Sequence, residues 1–455
     1  MGNTFAHLAL IAWPFISLIF YKKMPVVNAT FWTIVGGYLV LPTKVAIDFP
    51  LIPPLDKGSI PAIAAMVGCI FIKKQKMSFI PKKGVEKWLL IVFLLVPFIT
   101  VLNNQETYNY ISGLTFKDGI SQTIGQYLKI LPIIIALQIV RTYDDQIVIF
   151  KLLVLSSLFY SLLILFEIRI SPQLHGWIYG FFPHSFGQQF RFGGFRAVVF
   201  LGHGLLISMY IAIALGAAVI LAKQKIKVTR FSPWAIVFFL LLVLLLNKTV
   251  SGFILGVVLF SMIAFTSEKR IRQVALALMG IVILYPALSI LGIFPHQQLI
   301  DLASNFSPER GASLAYRFHY ENLLLEHARD KLFFGWGGWS RNRIAGAAKD
   351  GFWIGIFGVN GLVGFVTLFG LAVVSVFRTS RSCKLLKSKS GKMVLASHAL
   401  IISIIMLDQI PNSSFNSLAA FLLGALLGRT NSLKLESKLL KIKSSSKNFP
   451  ETKVK

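Results

Sequence analysis

Along Phe294–Gly351, charged side chains recur at helical spacing. At about 100° per residue, Arg310, Arg317, Glu321 and Ala328 share one stripe. Two guanidinium groups beside a carboxylate can hold an anion and move a proton. An ordinary amphipathic surface helix with i,i+4 pairing has the same spacing. His327, between Glu326 and Ala328 and shortly before Arg329-Asp330, is a second candidate base in solvated company. The other concentration of chemistry is Ser171–Val198, which contains Arg191 and Arg196 and no acidic residue. The arginine fork matches phosphate oxygens bidentately, and Gly193-Gly194 lets the backbone approach a ligand closely. Snorkelling to lipid headgroups is the competing explanation. His203, in Phe200-Leu201-Gly202-His203-Gly204, begins the next helix and can face the same cavity, although taken alone a structural hydrogen bond is the better account of it.

No Walker loop, HExxH, nucleophile elbow or Cys/His metal cluster is present. Cys69 and Cys383 are far apart and read as free thiols. What remains is chemistry without cofactor or metal on an anionic, lipid-bound substrate.

The elements that must position these residues are membrane helices. The chain has 455 residues, 55% hydrophobic and 14% charged, with mean hydropathy +0.71, whereas soluble domains carry roughly a quarter charged residues. Thirteen apolar runs occur, roughly 5–21, 29–47, 59–72, 88–104, 120–140, 147–168, 199–222, 234–247, 250–266, 274–293, 352–377, 393–409 and 415–428. Several are short for a bilayer core needing about twenty residues. The expected fold is therefore an all-α polytopic bundle of about 12–13 membrane helices with a long helical outer loop. Its parts are a transmembrane bundle over 1–293, a polar loop over 294–351, C-terminal membrane helices over 352–428 and a basic tail over 429–455.

Forty-six Lys and Arg against eighteen Asp and Glu give a formal charge of +28. Placement excludes nucleic acid as the reason. The cations cluster in short loops at Lys22-Lys23, Lys73–Lys87, Arg141, Lys223–Arg230, Lys269–Arg272 and Arg378–Lys392, and in the tail. That side is cytoplasmic by the positive-inside rule. The outer loops are then 48–58, 103–119, 171–198, the turn at Lys248-Thr249, 294–351 and 410–414, rich in aromatics, Gly, His and Arg. Lys434–Lys455 reads equally well as a mobile tail drawn to anionic lipid or as a disordered tail with no role. Inside the runs, Lys44, Lys129, Lys151, Glu167, Arg169 and His203 are expensive residues. Glu167 and Arg169 stand at an outer helix end, where reaching water explains them.

In the polar loop, Ser307-Pro308 marks a helix start that runs to about Asp330, and Gly335–Gly338 ends it in a turn.

Three stretches in this order resemble the O-antigen ligase and O-antigen polymerase superfamily. They are Arg191–His203; Arg317 with Leu323-Leu324-Leu325 and Phe334-Gly335-Trp336-Gly337; and Asp350-Gly351-Phe352-Trp353 with Gly358-Val359-Asn360-Gly361-Leu362-Val363-Gly364. The resemblance covers roughly 150–425. It implies inverting, metal-independent glycosyl transfer at the periplasmic face of a bacterial inner membrane. The donor would be a saccharide on undecaprenyl diphosphate, and the acceptor a hydroxyl of a growing polysaccharide or of lipid A-core. Membrane lipids and a chain-length regulator are the implied partners. Arg191, Arg196 and Arg317 occupy the places of the arginines that hold the diphosphate. Two departures weaken the ligase assignment and leave polymerase, or another polysaccharide transferase of the same fold, ahead. Lys349-Asp350-Gly351 stands where ligases carry a histidine, and a Ser-Arg-Gly common in relatives appears as Ser251-Gly252 near Lys248. Asp350 then becomes the candidate base, with capping of the following helix as its alternative role. A lipid-linked saccharide transporter or flippase would also use outer arginines. A non-catalytic component of an export complex would use the aromatic loops for docking.

Overall fold

Each of the thirteen apolar runs folds as a helix in the computed structural model, which describes residues 2–49, 52–347 and 350–446. The helices are α1 (Thr4–Lys23), α2 (Val26–Val40), α3 (Ser59–Ile72), α4 (Val85–Leu102), α5 (Phe116–Ile139), α6 (Tyr143–Ile170) and the short α7 (Leu174–Tyr179). They continue as α8 (Gly204–Lys223), α9 (Pro233–Leu246), α10 (Val250–Phe265), α11 (Glu268–Ile290), α12 (His296–Phe306) and α13 (Pro308–Arg329). The last three are α14 (Phe352–Ser382), α15 (Lys389–Asp408) and α16 (Ser417–Ser446). Among the described residues eight helices are long and apolar enough to cross a membrane. This is an all-α, multi-pass membrane bundle.

Local chemistry sets the helix ends. Thr115 with Asp118 and Thr142 with Asp145 form reciprocal capping boxes that start α5 and α6. The most enclosed helix, α8, is apolar all round and buried along nearly its whole length. The short helices α9 and α10, of 14 and 16 residues, form a hairpin packed on it.

Four expectations change. The run 29–47 stops being helical at Val40, because Pro42 follows and Lys44 turns left-handed (φ +58°). The chain then forms an antiparallel hairpin, β1 (Ala46–Phe49) with β2 (Ile52–Asp56). Glu167 does not reach for water. It is fully buried, and its carboxylate accepts from the backbone N–H groups of Leu174, Val198 and Val199 at 3.0, 2.8 and 2.8 Å. Helix α13 spans the expected residues, but the Ser307 side chain makes no capping bond, and a further amphipathic helix, α12, packs against α13. The basic tail continues α16 as helix to Ser446, and residues 447–455 lie outside the described residues.

The turn at Gly335–Gly338 does more than end a helix. Helix α14 is broken at Gly361 (φ +63°, ψ −167°), and a break in a membrane helix frees backbone groups that need partners. The segment 332–337 supplies them. Trp336 and Gly337 N–H donate to the carbonyls of Gly358 and Val359 at 2.9 and 3.0 Å, while Leu362 and Val363 N–H donate to those of Leu332 and Phe333 at 2.8 and 3.1 Å. A Cβ at Gly361 would stand 2.3 Å from the Phe333 carbonyl carbon. Gly361→Ala is therefore expected to destabilise the protein by at least about 1–3 kcal/mol from backbone strain alone. A thermal melt reads this directly. Gly280→Ala, where a Cβ meets nothing within 4 Å, serves as the control and should be neutral or slightly stabilising.

Basic loops gather at one end of the bundle. There Arg378 pairs with the buried Glu86 at 2.6 Å, Arg272 donates to the Ser380 carbonyl, and Arg429 to that of Arg141. The β1–β2 hairpin and the loops 103–115, 171–203, 247–249, 291–347 and 409–416 meet at the other end, tied by contacts such as Lys57 to the Phe200 carbonyl, Lys331 to that of Asn103 and Arg317 to that of Pro411. With the basic end inside, impermeant thiol reagents on intact cells should label Glu309→Cys and spare Lys387→Cys. Cys69 and Cys383 are buried and contribute little background. The reverse pattern would invert the assignment of faces.

Candidate functional site

A cationic cluster is built by the loop between α6 and α8. Its two-residue strands β3 (Phe190–Arg191) and β4 (Gly194–Phe195) close through Phe192 and Gly193, both left-handed at φ +50° and +68°. The hairpin leaves Arg191 exposed and turns Arg196 inward, where it is 3% exposed. Arg196 Nε donates to Gln189 Oε1 at 3.2 Å and one Nη to the Gln188 carbonyl at 3.2 Å. Its other guanidinium N–H groups stand 3.5 Å from His203 Nε2 or unengaged. His184 packs on His203 with ring centroids 4.5 Å apart, and Lys248 reaches across from the α9–α10 turn to the Phe192 carbonyl at 3.2 Å.

Burial and the proximity of like charge define the cluster electrostatically. Burial first, and Arg191 second, bring Arg196 down to about 10. Burial, then Arg196, His184 and Arg191, bring His203 down to about 3. His184 is lowered by burial and by Lys44 and Arg196. Both histidines are therefore neutral at physiological pH. His203 also caps α8, its Nδ1 accepting from Leu205 N–H at 3.1 Å. Among the described residues no carboxylate pairs with Arg191, Arg196, Lys44 or Lys248. Glu167, the carboxylate beneath the loop, is taken up by backbone.

A cavity of about 500 Å³ opens between α10, α11, α13 and the facing ends of α14 and α15. Its walls are mostly apolar, and its polar groups are Arg317, Glu321, Asp350 and Asp408 with Tyr285 and Ser251. Arg317 Nη1 donates to the Pro411 carbonyl at 3.0 Å, and its Nε is 3.7 Å from Asp350 Oδ2. Glu321 accepts from the Tyr285 hydroxyl at 2.5 Å and has His296 Nε2 at 3.8 Å. Asp408 is buried, accepting from Asn412 Nδ2 at 2.7 Å and Ser414 Oγ at 2.6 Å. Asp350 is 45% exposed and does not cap α14, whose N-cap is Gly351 with no side-chain bond.

The structure thus brings Arg191, Arg196 and His203 together in one place, and Arg317, Glu321 and Asp350 in another. The two adjoin at the α9–α10 turn, where Lys248 touches the hairpin and Ser251 lines the cavity. Arg310, exposed on the first turns of α13, does not line the cavity. His327 is taken out of the chemistry by its contacts. Its ring stacks on Trp336 with centroids 4.5 Å apart, Nε2 meets the Arg341 carbonyl at 2.7 Å, and Nδ1 faces the Tyr108 hydroxyl at 3.5 Å. Arg341, fully buried and unremarked in the sequence, holds the carbonyls of Glu106 and Ser112 and the Glu106 carboxylate. Asp408 was also passed over, although an acid at the end of the apolar run 393–409 is its signal.

No protein-family model and no curated protein matches the chain.

Proposed function

We propose that the protein transfers a saccharide from undecaprenyl diphosphate to a sugar hydroxyl at the outer face of a bacterial inner membrane, as a polysaccharide polymerase of the O-antigen ligase and polymerase kind. The observation that carries the reading is Arg196, a guanidinium 3% exposed, beside Arg191 and without a carboxylate partner among the described residues. A buried charge is retained where an opposite charge meets it. His203 stands 3.5 Å from it with His184 packed behind, and Lys248 reaches the same hairpin, an arrangement that fits a multiply charged anion such as a diphosphate.

The adjoining cavity supplies what glycosyl transfer also needs. Its apolar walls suit a lipid-borne substrate, and Asp350 offers a half-exposed carboxylate. The acceptor hydroxyl oxygen attacks the anomeric carbon from the face opposite the diphosphate. The carbon–oxygen bond to the diphosphate breaks, its electron pair departs with the leaving group, and the hydroxyl proton passes to Asp350. Fixed guanidinium groups lower the barrier because charge grows on the leaving diphosphate as that bond breaks.

The purified protein in liposomes, given a fluorescent undecaprenyl-diphosphate-linked oligosaccharide, tests the proposal. Longer chains with inverted anomeric configuration are the expected product. Movement of the lipid across the bilayer without chain growth would make the protein a transporter, and neither result would overturn both readings.

A further inference from the structure

A second cavity, of about 900 Å³, lies on the opposite side of the start of α14. Gly351 and Ile354 line the first cavity, while Phe352, Gly355 and Ile356 line this one. Thr43, Pro53, Trp339 and Ser413 contribute to its wall from other loops at the end of the bundle where the arginine cluster stands.

Several of its polar side chains are already engaged within the protein, and Lys129, one turn beyond Gln126 on α5, adds an exposed ammonium to its lining. Asp56 accepts from Gly58 and Ser59 N–H at 2.8 and 3.0 Å. Lys57, brought down to about 7 by burial against the pull of Asp56, donates to the Phe200 carbonyl at 2.8 Å. Asn416 donates to the Tyr38 hydroxyl and the Ser414 carbonyl at 3.0 and 2.8 Å.

Three amides stand apart. Gln122 and Gln126 are one turn apart on α5, and Asn360 lies at the break of α14. Gln126 is 7% exposed and Asn360 2% exposed. Both amide atoms of Gln122 and of Gln126, and Nδ2 of Asn360, are buried without a hydrogen-bond partner among the described residues. All three residues line the cavity. Native proteins rarely leave such groups unmet, and three in one cavity mark a site whose partner comes from outside the chain.

The donor and acceptor chemistry narrows that partner. A phosphate only accepts and an ammonium only donates, whereas a carboxamide presents both faces. A ligand able to satisfy several carboxamides in both senses carries many hydroxyls. Trp339, half-exposed and held left-handed (φ +54°), places a flat apolar ring on the same wall, suited to the C–H face of a sugar ring. We infer that this second cavity binds the acceptor saccharide chain through Gln122, Gln126 and Asn360, opposite the donor cavity across the first turn of α14. The word acceptor rests on the glycosyl-transfer reading; the binding of saccharide does not.

The test uses the full-length protein in detergent. The probe is a mixture of short oligosaccharides released from the producing cell's own surface polysaccharide. Wild type should show a rise in thermal unfolding temperature and a saturable titration. Gln126→Leu and Asn360→Leu should each weaken binding on the order of tenfold. Their ligand-free unfolding temperatures should stay equal or rise, because an apolar group of similar size replaces an unpaired buried amide. Arg317→Lys, in the other cavity, should leave oligosaccharide binding intact. A wild type that binds nothing, binding that survives both leucine changes, or a fall in ligand-free stability showing that the amides serve the fold or ordered water alone, would each overturn the inference. Saccharide binding that behaves as expected in a protein without transferase activity would retain this site and remove only the function proposed above.

Discussion

Arg196→Lys is expected to lower chain growth by on the order of 10²–10³-fold, the loss typical of removing one fixed donor from a developing anion. The guanidinium is held from behind by Gln189 Oε1 and the Gln188 carbonyl, which leaves its remaining N–H groups available to a ligand in a set orientation. Lysine keeps the charge but has a single ammonium, which cannot hold those two acceptors and also present a fork to phosphate. Arg191→Lys should have a smaller effect, because Arg191 is exposed and works in water. The measurement is initial rate of polymer formation in liposomes at matched protein amounts, with a thermal melt alongside. Normal polymer from Arg196→Lys would reduce the cluster to residues that meet lipid headgroups. A loss of rate explained by a matching loss of folded protein would make Arg196 a brace for the hairpin and nothing more.

How much of this was legible in the sequence depended on the range of the interactions. The helices were legible because burial in lipid demands an unbroken apolar run, and composition alone displays it. The start of α14 at Phe352 and the span of α13 were readable for the same local reasons: a Gly before one, Ser-Pro before the other. Gly361 was not. A single glycine inside an apolar run looks like any tolerated helix residue, and only the distant segment 332–337, lying against it, makes the break affordable. The pairing of Arg191 with Arg196 was partly legible, since Gly193-Gly194 invites a hairpin that brings them back together. Grouping Arg317 with them rests on the family resemblance, and in the structure Arg317 lines the adjoining cavity.

Polar residues inside helices show the other limit. Attention to charge singled out Lys129, but Gln122, Gln126 and Lys129 together form a stripe at i, i+4 and i+7 on α5. Uncharged amides in an apolar helix carry nearly the same message as charges, because neither is buried without a partner. His327 failed in the opposite direction. Its sequence neighbours are charged and look solvated, yet the ring is sandwiched against Trp336 by a contact that no local pattern announces.

Asp350→Asn is expected to reduce the turnover number by roughly 10²–10⁴-fold while leaving KM for the lipid-linked donor nearly unchanged, the pattern of a lost proton acceptor. The structure sharpens this test. Capping was the competing role for Asp350, but Gly351 is the N-cap of α14 and no side chain bonds there, so Asn should cost little stability. The 3.7 Å contact with Arg317 is half-exposed on both sides and contributes little to the fold. The cavity holds two other carboxylates, and both differ from Asp350 in their engagement. Glu321 already accepts from Tyr285. Asp408 accepts from Asn412 and Ser414, so Asp408→Asn turns an acceptor into a donor in a buried site and should lower the melting temperature. Activity lost in Asp350→Asn at unchanged stability, together with activity reduced only in proportion to folded protein in Asp408→Asn, assigns the proton to Asp350. Full activity in Asp350→Asn, with Glu321→Gln inactive yet stable, would move the base one helix away, to α13.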